Sequence, residues 1–218
     1  MKLGTLLSRS ALVAASLAMF AGTASAQGVL GQPLYKTGDV QVAFVGSDAF
    51  YGDDLYFFLT VGDLGSAQFL FDNHASVPGT VVDVNDGSLA VGDEVIFGIC
   101  VRRDGTSPGI GCADADDVFY SGDSSRNADN MPHMIAWTRA EYEAAFGVNL
   151  NDLGIGAEYD WIVGFEDILG GGDEDYNDAI FAVTGVTAVP EPITMTLLAT
   201  GLAGMGGAGA IRRRKKNA

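Results

Sequence analysis

Soft ligands and nucleophiles are scarce in this sequence. It carries two cysteines and two histidines in 218 residues, too few for a thiolate metal centre, and a catalytic thiol would need a base beside it. Basic residues are few as well, 12 Lys and Arg against 28 Asp and Glu, for a formal charge of −16. Recognition of polyphosphate needs clustered cations, so nucleic-acid binding is excluded. No phosphate loop, dinucleotide fingerprint or strand–turn–helix nucleophile elbow reads out of the chain, and no fixed-period repeat runs through it. What the chain does have is apolar substance, 48% hydrophobic residues, with 30 glycines to punctuate it. That is enough for a real core and argues against wholesale disorder.

The two ends read as addresses. Residues 1–26 have the order of a secretory signal peptide: Lys2 and Arg9, an apolar run from Ala11 to Ala21, then Ala24-Ser25-Ala26 as a small-x-small cleavage site. At the other end Val189-Pro190-Glu191-Pro192 precedes an uncharged stretch, Ile193 to Ile211, and the cluster Arg212-Arg213-Arg214-Lys215-Lys216. At about 1.5 Å per residue that stretch just spans a hydrocarbon core, with the basic cluster held on the cytoplasmic side. Residues 190–218 closely resemble the PEP-CTERM sorting signal of Gram-negative bacteria, in which Pro190, Glu191 and Pro192 would be the sorting motif. The resemblance implies an exosortase, a membrane-embedded cysteine transpeptidase, as processing partner, transient anchoring in the inner membrane, and release to the cell surface or exterior. A permanent tail anchor fits the same physical segment.

Between these ends, residues 27–189 have single-domain size. Five basic residues (Lys36, Arg102, Arg103, Arg126 and Arg139) fall there, with all the acidic residues except Glu191. Such a segment repels itself unless counter-ions gather on it, and hard oxygen donors suit Ca²⁺; a merely soluble or salt-adapted acidic surface is the plainer reading. Cys100 and Cys112 lie in this export-bound segment, where a disulfide is the default.

Short Val-, Ile-, Phe- and Tyr-rich runs recur with Gly, Asp and Asn between them: 40–45, 55–61, 67–71, 80–84, 94–101, 133–138, 159–165 and 179–183. This predicts an all-β fold, a β-sandwich of jelly-roll type, flanked by the signal peptide and the transmembrane sorting segment. One short helix is expected after Thr138, where Thr138 and Glu141 have capping-box spacing and Gly147 is placed to end it.

The chemistry concentrates in 161–183. A strand ends at Phe165-Glu166-Asp167, Gly170-Gly171-Gly172 follows, then Asp173-Glu174-Asp175-Tyr176-Asn177-Asp178 and a second strand. Asp173, Asp175 and Asn177 have the alternating oxygens that open an EF-hand loop, but Asp178 and Thr184 occupy the positions that need Gly and Glu. A different Ca²⁺ loop remains, with Glu166, Asp167, Asp173, Asp175, Asn177 and Asp178 as candidate ligands. The competing reading is a hairpin whose Asp and Asn side chains cap turns.

This stretch is similar to the signature of domain-of-unknown-function family four-one-one-four, found in bacterial surface proteins. Gly164-Phe165-Glu166-Asp167 and Asp173 to Asp178 carry the resemblance, and Asn127-Ala128-Asp129 with His133 looks like a further element of it. Membership implies a surface domain without an assigned activity.

The expectation is therefore an exported, non-catalytic surface or matrix protein, Ca²⁺-stabilised, serving in envelope, biofilm or adhesion. Exopolysaccharide or other surface proteins are the expected partners. One alternative is a carbohydrate-binding module using Tyr51, Tyr56, Phe57 and Phe58. Another is a Ca²⁺-dependent hydrolase pairing Glu166 with Asp173, or using His74 or His133 as base. Asp114, Asp116 and Asp117 form a second acidic cluster, more naturally a solvated loop.

Overall fold

A computed structural model describes residues 28–108 and 110–188. The expected signal peptide and the sorting segment, with Pro190, Glu191 and Pro192, lie outside the described residues. Ten strands follow in chain order: β1 (Val29–Leu30), β2 (Leu34–Gly46), β3 (Gly52–Phe58), β4 (Gln68–Asp72), β5 (Val81–Asp83), β6 (Glu94–Arg102), β7 (Asp117–Tyr120), β8 (Met134–Thr138), β9 (Trp161–Phe165) and β10 (Ala179–Ala188). Helix α1 spans Arg139–Phe146. The fold is mostly β, as the recurrent apolar runs require, and every strand pairing is antiparallel.

The strands run in the order β1-β8-β9-β10-β2-β6-β3-β4, with β5 beside β2 and β7 beside β6. The sheet has two wings. One contains β1, β8, β9, β10, β2 and β5; the other contains β7, β6, β3 and β4. They are joined where Leu34 and Tyr35 pair with Val95 and Glu94. The wings face each other, for Phe97 of β6 meets Phe181 of β10 with ring centroids 5.0 Å apart, and Phe44 of β2 meets Phe71 of β4 at 5.5 Å.

Period-2 alternation decides which side chains enter this space. From β6, Val95, Phe97, Ile99 and Val101 point inward, as do Leu55 and Phe57 from β3 and Val163 and Phe165 from β9. The opposite face of each wing is also covered. Ala43, Val45, Trp137, Ile162 and Ala182 pack under α1 and its following loop through Tyr142, Leu150 and Tyr159. Tyr56, Phe58, Ile96 and Tyr120 pack around Cys100 and Cys112. β2 is consequently buried on both faces in its second half, where alternation alone suggested one.

The local expectations at the helix and the cysteines are met. The Thr138 hydroxyl and the Glu141 carboxylate form a reciprocal capping box, and Gly147 closes α1 in the left-handed region at φ 66°. Cys100 and Cys112 stand at disulfide distance, with Cα atoms 5.6 Å apart. β1 and β7 are added to the strands read from the sequence, and no helix among the described residues is long and apolar enough to cross a membrane.

Phe97 fills the interface between the wings, so Phe97→Ala should cost about 3–5 kcal/mol. Thr138→Ala removes one cap and should cost about 1 kcal/mol. Urea unfolding of both variants checks the contrast; equal losses would contradict this placement of the core.

Candidate metal centre

The end of the inter-wing space nearest Phe165 is walled by carboxylates. In β3, Asp53 is in phase with Leu55 and Phe57, so it faces inward, while Asp54 shares the outer face with Tyr56 and Phe58. In β9 the same phase carries Asp167 inward beyond Phe165, and Asp178 directly precedes β10. Asp53 and Glu166 are each 1% exposed and Asp167 3%. Oxygens of Glu166, Asp167 and Asp178 lie within 4.8 Å of one another, and so do oxygens of Glu166, Asp173 and Asp175. The glycine turn thus does what its composition suggested, bringing Glu166 and Asp167 beside the acidic loop.

Hydrogen bonds satisfy only part of this cluster. The Asp167 N–H donates to Asp178 Oδ2 at 2.8 Å. The Asn73 amide donates to Asp53 Oδ2 at 3.1 Å while its Oδ1 accepts from the Asp53 N–H at 2.9 Å. Asp53 Oδ1 and Glu166 Oε2, both buried, have no hydrogen-bond donor as partner, and the side chains that their carboxyls meet are other carboxyls, Asp167 at Asp53 and Asp178 at Glu166. Among the described residues no Lys or Arg side chain reaches them. Lys36 pairs with Asp86, Arg102 with Asp104 and Asp114, Arg103 with Asp117, Arg126 with Glu94 and Arg139 with Glu143.

The electrostatic consequence is large. Burial, then the charges of Asp167 and Asp178, push the Asp53 carboxyl up to about 10. Burial followed by Asp167 raises Asp178 to about 8 against the opposing Asp167 N–H. Burial and then Asp173, Asp167 and Asp175 raise Glu166 to about 7. Asp167 and Asp175 are also raised, burial first. Without a foreign cation, this site holds protons at neutral pH.

The acidic loop is strained into shape. Gly170, Gly171 and Gly172 are left-handed, and so are Glu174 (φ 61°) and Tyr176 (φ 55°), at a cost of about 1–2 kcal/mol for each non-glycine residue. A Cβ at Gly172 would collide with the Glu166 carboxylate. Tyr176 anchors the loop: its ring is buried under α1 and its hydroxyl donates to the Pro132 carbonyl at 3.3 Å. The Asn177 amide nitrogen donates to Asp175 Oδ2 at 2.6 Å, and Asp175 Oδ1 caps the turn by accepting the Asn177 N–H at 3.3 Å.

Residues 89–186 match the family model of a domain of unknown function, DUF4114. No curated protein and no solved structure matches the chain. The DUF4114 match contains Glu166, Asp167, Asp173, Asp175 and Asp178. Asp53 comes from β3, outside the DUF4114 match, and completes the wall from the opposite wing.

Within the matched DUF4114 segment, Asn127, Asp129 and His133 are scaffold. The Asn127 side chain bonds both backbone groups of Tyr120 and the Met131 carbonyl. His133, 0% exposed, stacks on Phe119 with centroids 3.7 Å apart. Its backbone carbonyl accepts from the Glu166 N–H at 3.0 Å, and its Nδ1 donates to the Glu166 carbonyl at 2.8 Å. Nε2 faces Asp129 Oδ2 at 2.9 Å, and that carboxylate also accepts the Gly170 N–H at 2.7 Å. Burial works to raise the Asp129 carboxyl, but the Gly170 and Met131 N–H donors and His133 outweigh it and hold the group at about 2. His133 therefore fixes the Glu166 backbone and, through Asp129, the start of the glycine turn.

The other candidates are dispersed. Tyr56, Phe57 and Phe58 are buried in packing, so they form no exposed aromatic platform beside Tyr51. His74 is a turn residue whose Nε2 contacts the Ala49 carbonyl at 3.1 Å. Asp114 and Asp117 pair with Arg102 and Arg103, and Asp116 caps the Arg103 N–H. The letters Gly-x-Ser-x-Gly do occur at Gly105 to Gly109. There Ser107 donates to Asp54 at 3.0 Å, and neither His74 nor His133 has its hydrogen bonds with Ser107.

Two outcomes follow. In chelator-treated protein the folded carboxyls of Asp53, Asp178 and Glu166 bind protons that the unfolded chain releases near pH 4, so stability falls as pH rises from about 4 toward 7–10. A denaturant midpoint higher at pH 5 than at pH 8.5 is expected; the reverse order would contradict it. Asp129→Ala removes the acceptor of His133 and Gly170 and should destabilise the chain by about 1–3 kcal/mol, read as a lower melting temperature.

Proposed function

We propose that this chain is an exported, non-catalytic module of the cell surface or extracellular matrix whose β fold is locked by Ca²⁺. The observation that carries the metal reading is the pair of buried oxygens, Asp53 Oδ1 and Glu166 Oε2, without a hydrogen-bond donor among carboxylates that no Lys or Arg of the described residues reaches. Buried charge is tolerated when paired or when it coordinates a metal. The donors are all hard oxygens, which suit Ca²⁺ and offer nothing to soft metals. The ion would supply the missing counter-charge and tie β3 to the β9–β10 loop. Export rests on the signal-peptide pattern and the cysteine pair, and delivery by an exosortase on the resemblance of residues 190–218 to PEP-CTERM signals. The finer architecture that goes with this reading is a jelly-roll β-sandwich, supported by two facing wings joined by the pairing of β2 with β6.

A structural role is favoured over catalysis by the surroundings of the cluster. The recess next to Asp53, lined by Phe44, Leu55, Phe71, Asn73, Ala179, Ile180 and Phe181, has no interior room for even a water-sized sphere. Sites for organic ligands run to roughly 300–1,000 Å³. A partner such as exopolysaccharide or another surface protein would therefore meet the outside of the module and not the buried carboxylates.

The test is calorimetric titration of the full chain with Ca²⁺ at pH 7.5, paired with thermal unfolding in Ca²⁺ and in chelator. Binding is expected to stabilise the fold by about 2.7 kcal/mol when Ca²⁺ is at 100 times its dissociation constant, and Glu166→Gln should reduce that gain. Absence of both binding heat and a chelator-dependent melting temperature would sink the reading. Turnover of a glycan abolished by Glu166→Gln would replace it with the hydrolase.

A further inference from the structure

A single ion does not account for the whole cluster. Ca²⁺–oxygen distances of 2.3–2.6 Å limit two oxygens on one ion to about 5 Å apart. The carboxylates divide on that scale into two triads, Glu166 with Asp167 and Asp178, and Glu166 with Asp173 and Asp175, sharing Glu166 alone. The triads differ in setting. Glu166 and Asp167 are buried and Asp178 is half-buried, whereas Asp173 and Asp175 are exposed.

Glu166 stands between the two sets, with Asp167 and Asp178 on one side and Asp173 and Asp175 on the other. A second observation points to a ligand on the buried side. Glu166 and Asp53 are each 1% exposed, and each presents an oxygen without a hydrogen-bond donor. One divalent ion among Asp53, Glu166, Asp167 and Asp178 would leave that group with excess negative charge, which a second ion on the far side of Glu166 would offset.

We propose that the cluster is a two-cation centre bridged by Glu166. An inner Ca²⁺ is held by Glu166, Asp167 and Asp178, with the Asp53 carboxylate facing that group from β3, and an outer Ca²⁺ by Glu166, Asp173 and Asp175. The proposal rests on the Ca²⁺ reading above and extends it in stoichiometry and in the role of Asp53, which balances the inner ion from the opposite wing. The inner ion joins the two wings. The outer ion holds the loop that covers it, so it exchanges first when Ca²⁺ falls.

Native mass spectrometry and calorimetry of the chelator-stripped full chain, reloaded with Ca²⁺, test this. Two ions per chain are expected for the unaltered protein. The Asp173→Asn/Asp175→Asn variant, altered only at exposed positions, should bind one ion with its affinity changed less than tenfold. Asp53→Asn should weaken the tighter site by tenfold or more. One ion in the unaltered protein, unaffected by the Asp173 and Asp175 changes, overturns the two-cation centre and leaves the Ca²⁺ reading standing. Two ions retained in the double variant overturn the outer site as assigned. No ion in any form overturns both. A fold lost with Asp53→Asn does not blunt the test, because stoichiometry in the exposed double variant decides it alone.

Discussion

The described fold contains five Lys and Arg side chains, and each is paired at a distance from the buried carboxylates. That unbalanced negative charge is the constraint on which the rest depends. Asp53, Glu166, Asp167 and Asp178 sit where two apolar wings meet, so water cannot screen them and no arginine neutralises them. The fold persists only if protons or a foreign cation supply the opposite charge. Around neutral pH these two solutions compete for the same oxygens, which links stability, pH and divalent ions in one site.

The surrounding structure shows how much is invested in holding those oxygens close. Strand phase alone turns Asp53 and Asp167 inward, in register with Phe57 and Phe165. His133 grips both backbone groups of Glu166, and Asp129 carries that grip to Gly170. Tyr176, anchored beneath α1, keeps the loop in left-handed conformations that cost energy in isolation. A merely soluble acidic surface needs none of this. Carboxylates left to solvent would spread apart, as the ion-paired Asp114 and Asp117 do along the disulfide-bearing loop.

Much of this was legible in the residues. Apolar runs located eight strands, and the capping box and Gly147 located α1 because those signals are local. The Gly-rich turn between Glu166 and Asp173 announced that distant carboxylates meet. Asp53 was invisible for a definite reason: a strand read as beginning at Leu55 begins at Gly52, and two aspartates in a strand look like a turn until a partner wall is known. Asp129 and His133 carried a resemblance but no role, since their function is bonding to backbone groups that only the tertiary fold brings near. Tyr56 and Phe58 looked eligible as a surface platform because periodicity cannot reveal that the second face of β3 is also covered.

The central claim is that a bound cation, and not a set of shared protons, balances the buried carboxylates. Anomalous diffraction from crystals grown in Ca²⁺ at pH 7.5 examines it most directly. The account predicts a strong anomalous peak enclosed by Glu166, Asp167 and Asp178, with oxygens of those three at about 2.3–2.6 Å from it. A well-ordered site with no such peak, and carboxyl oxygens in direct short contact, would contradict it.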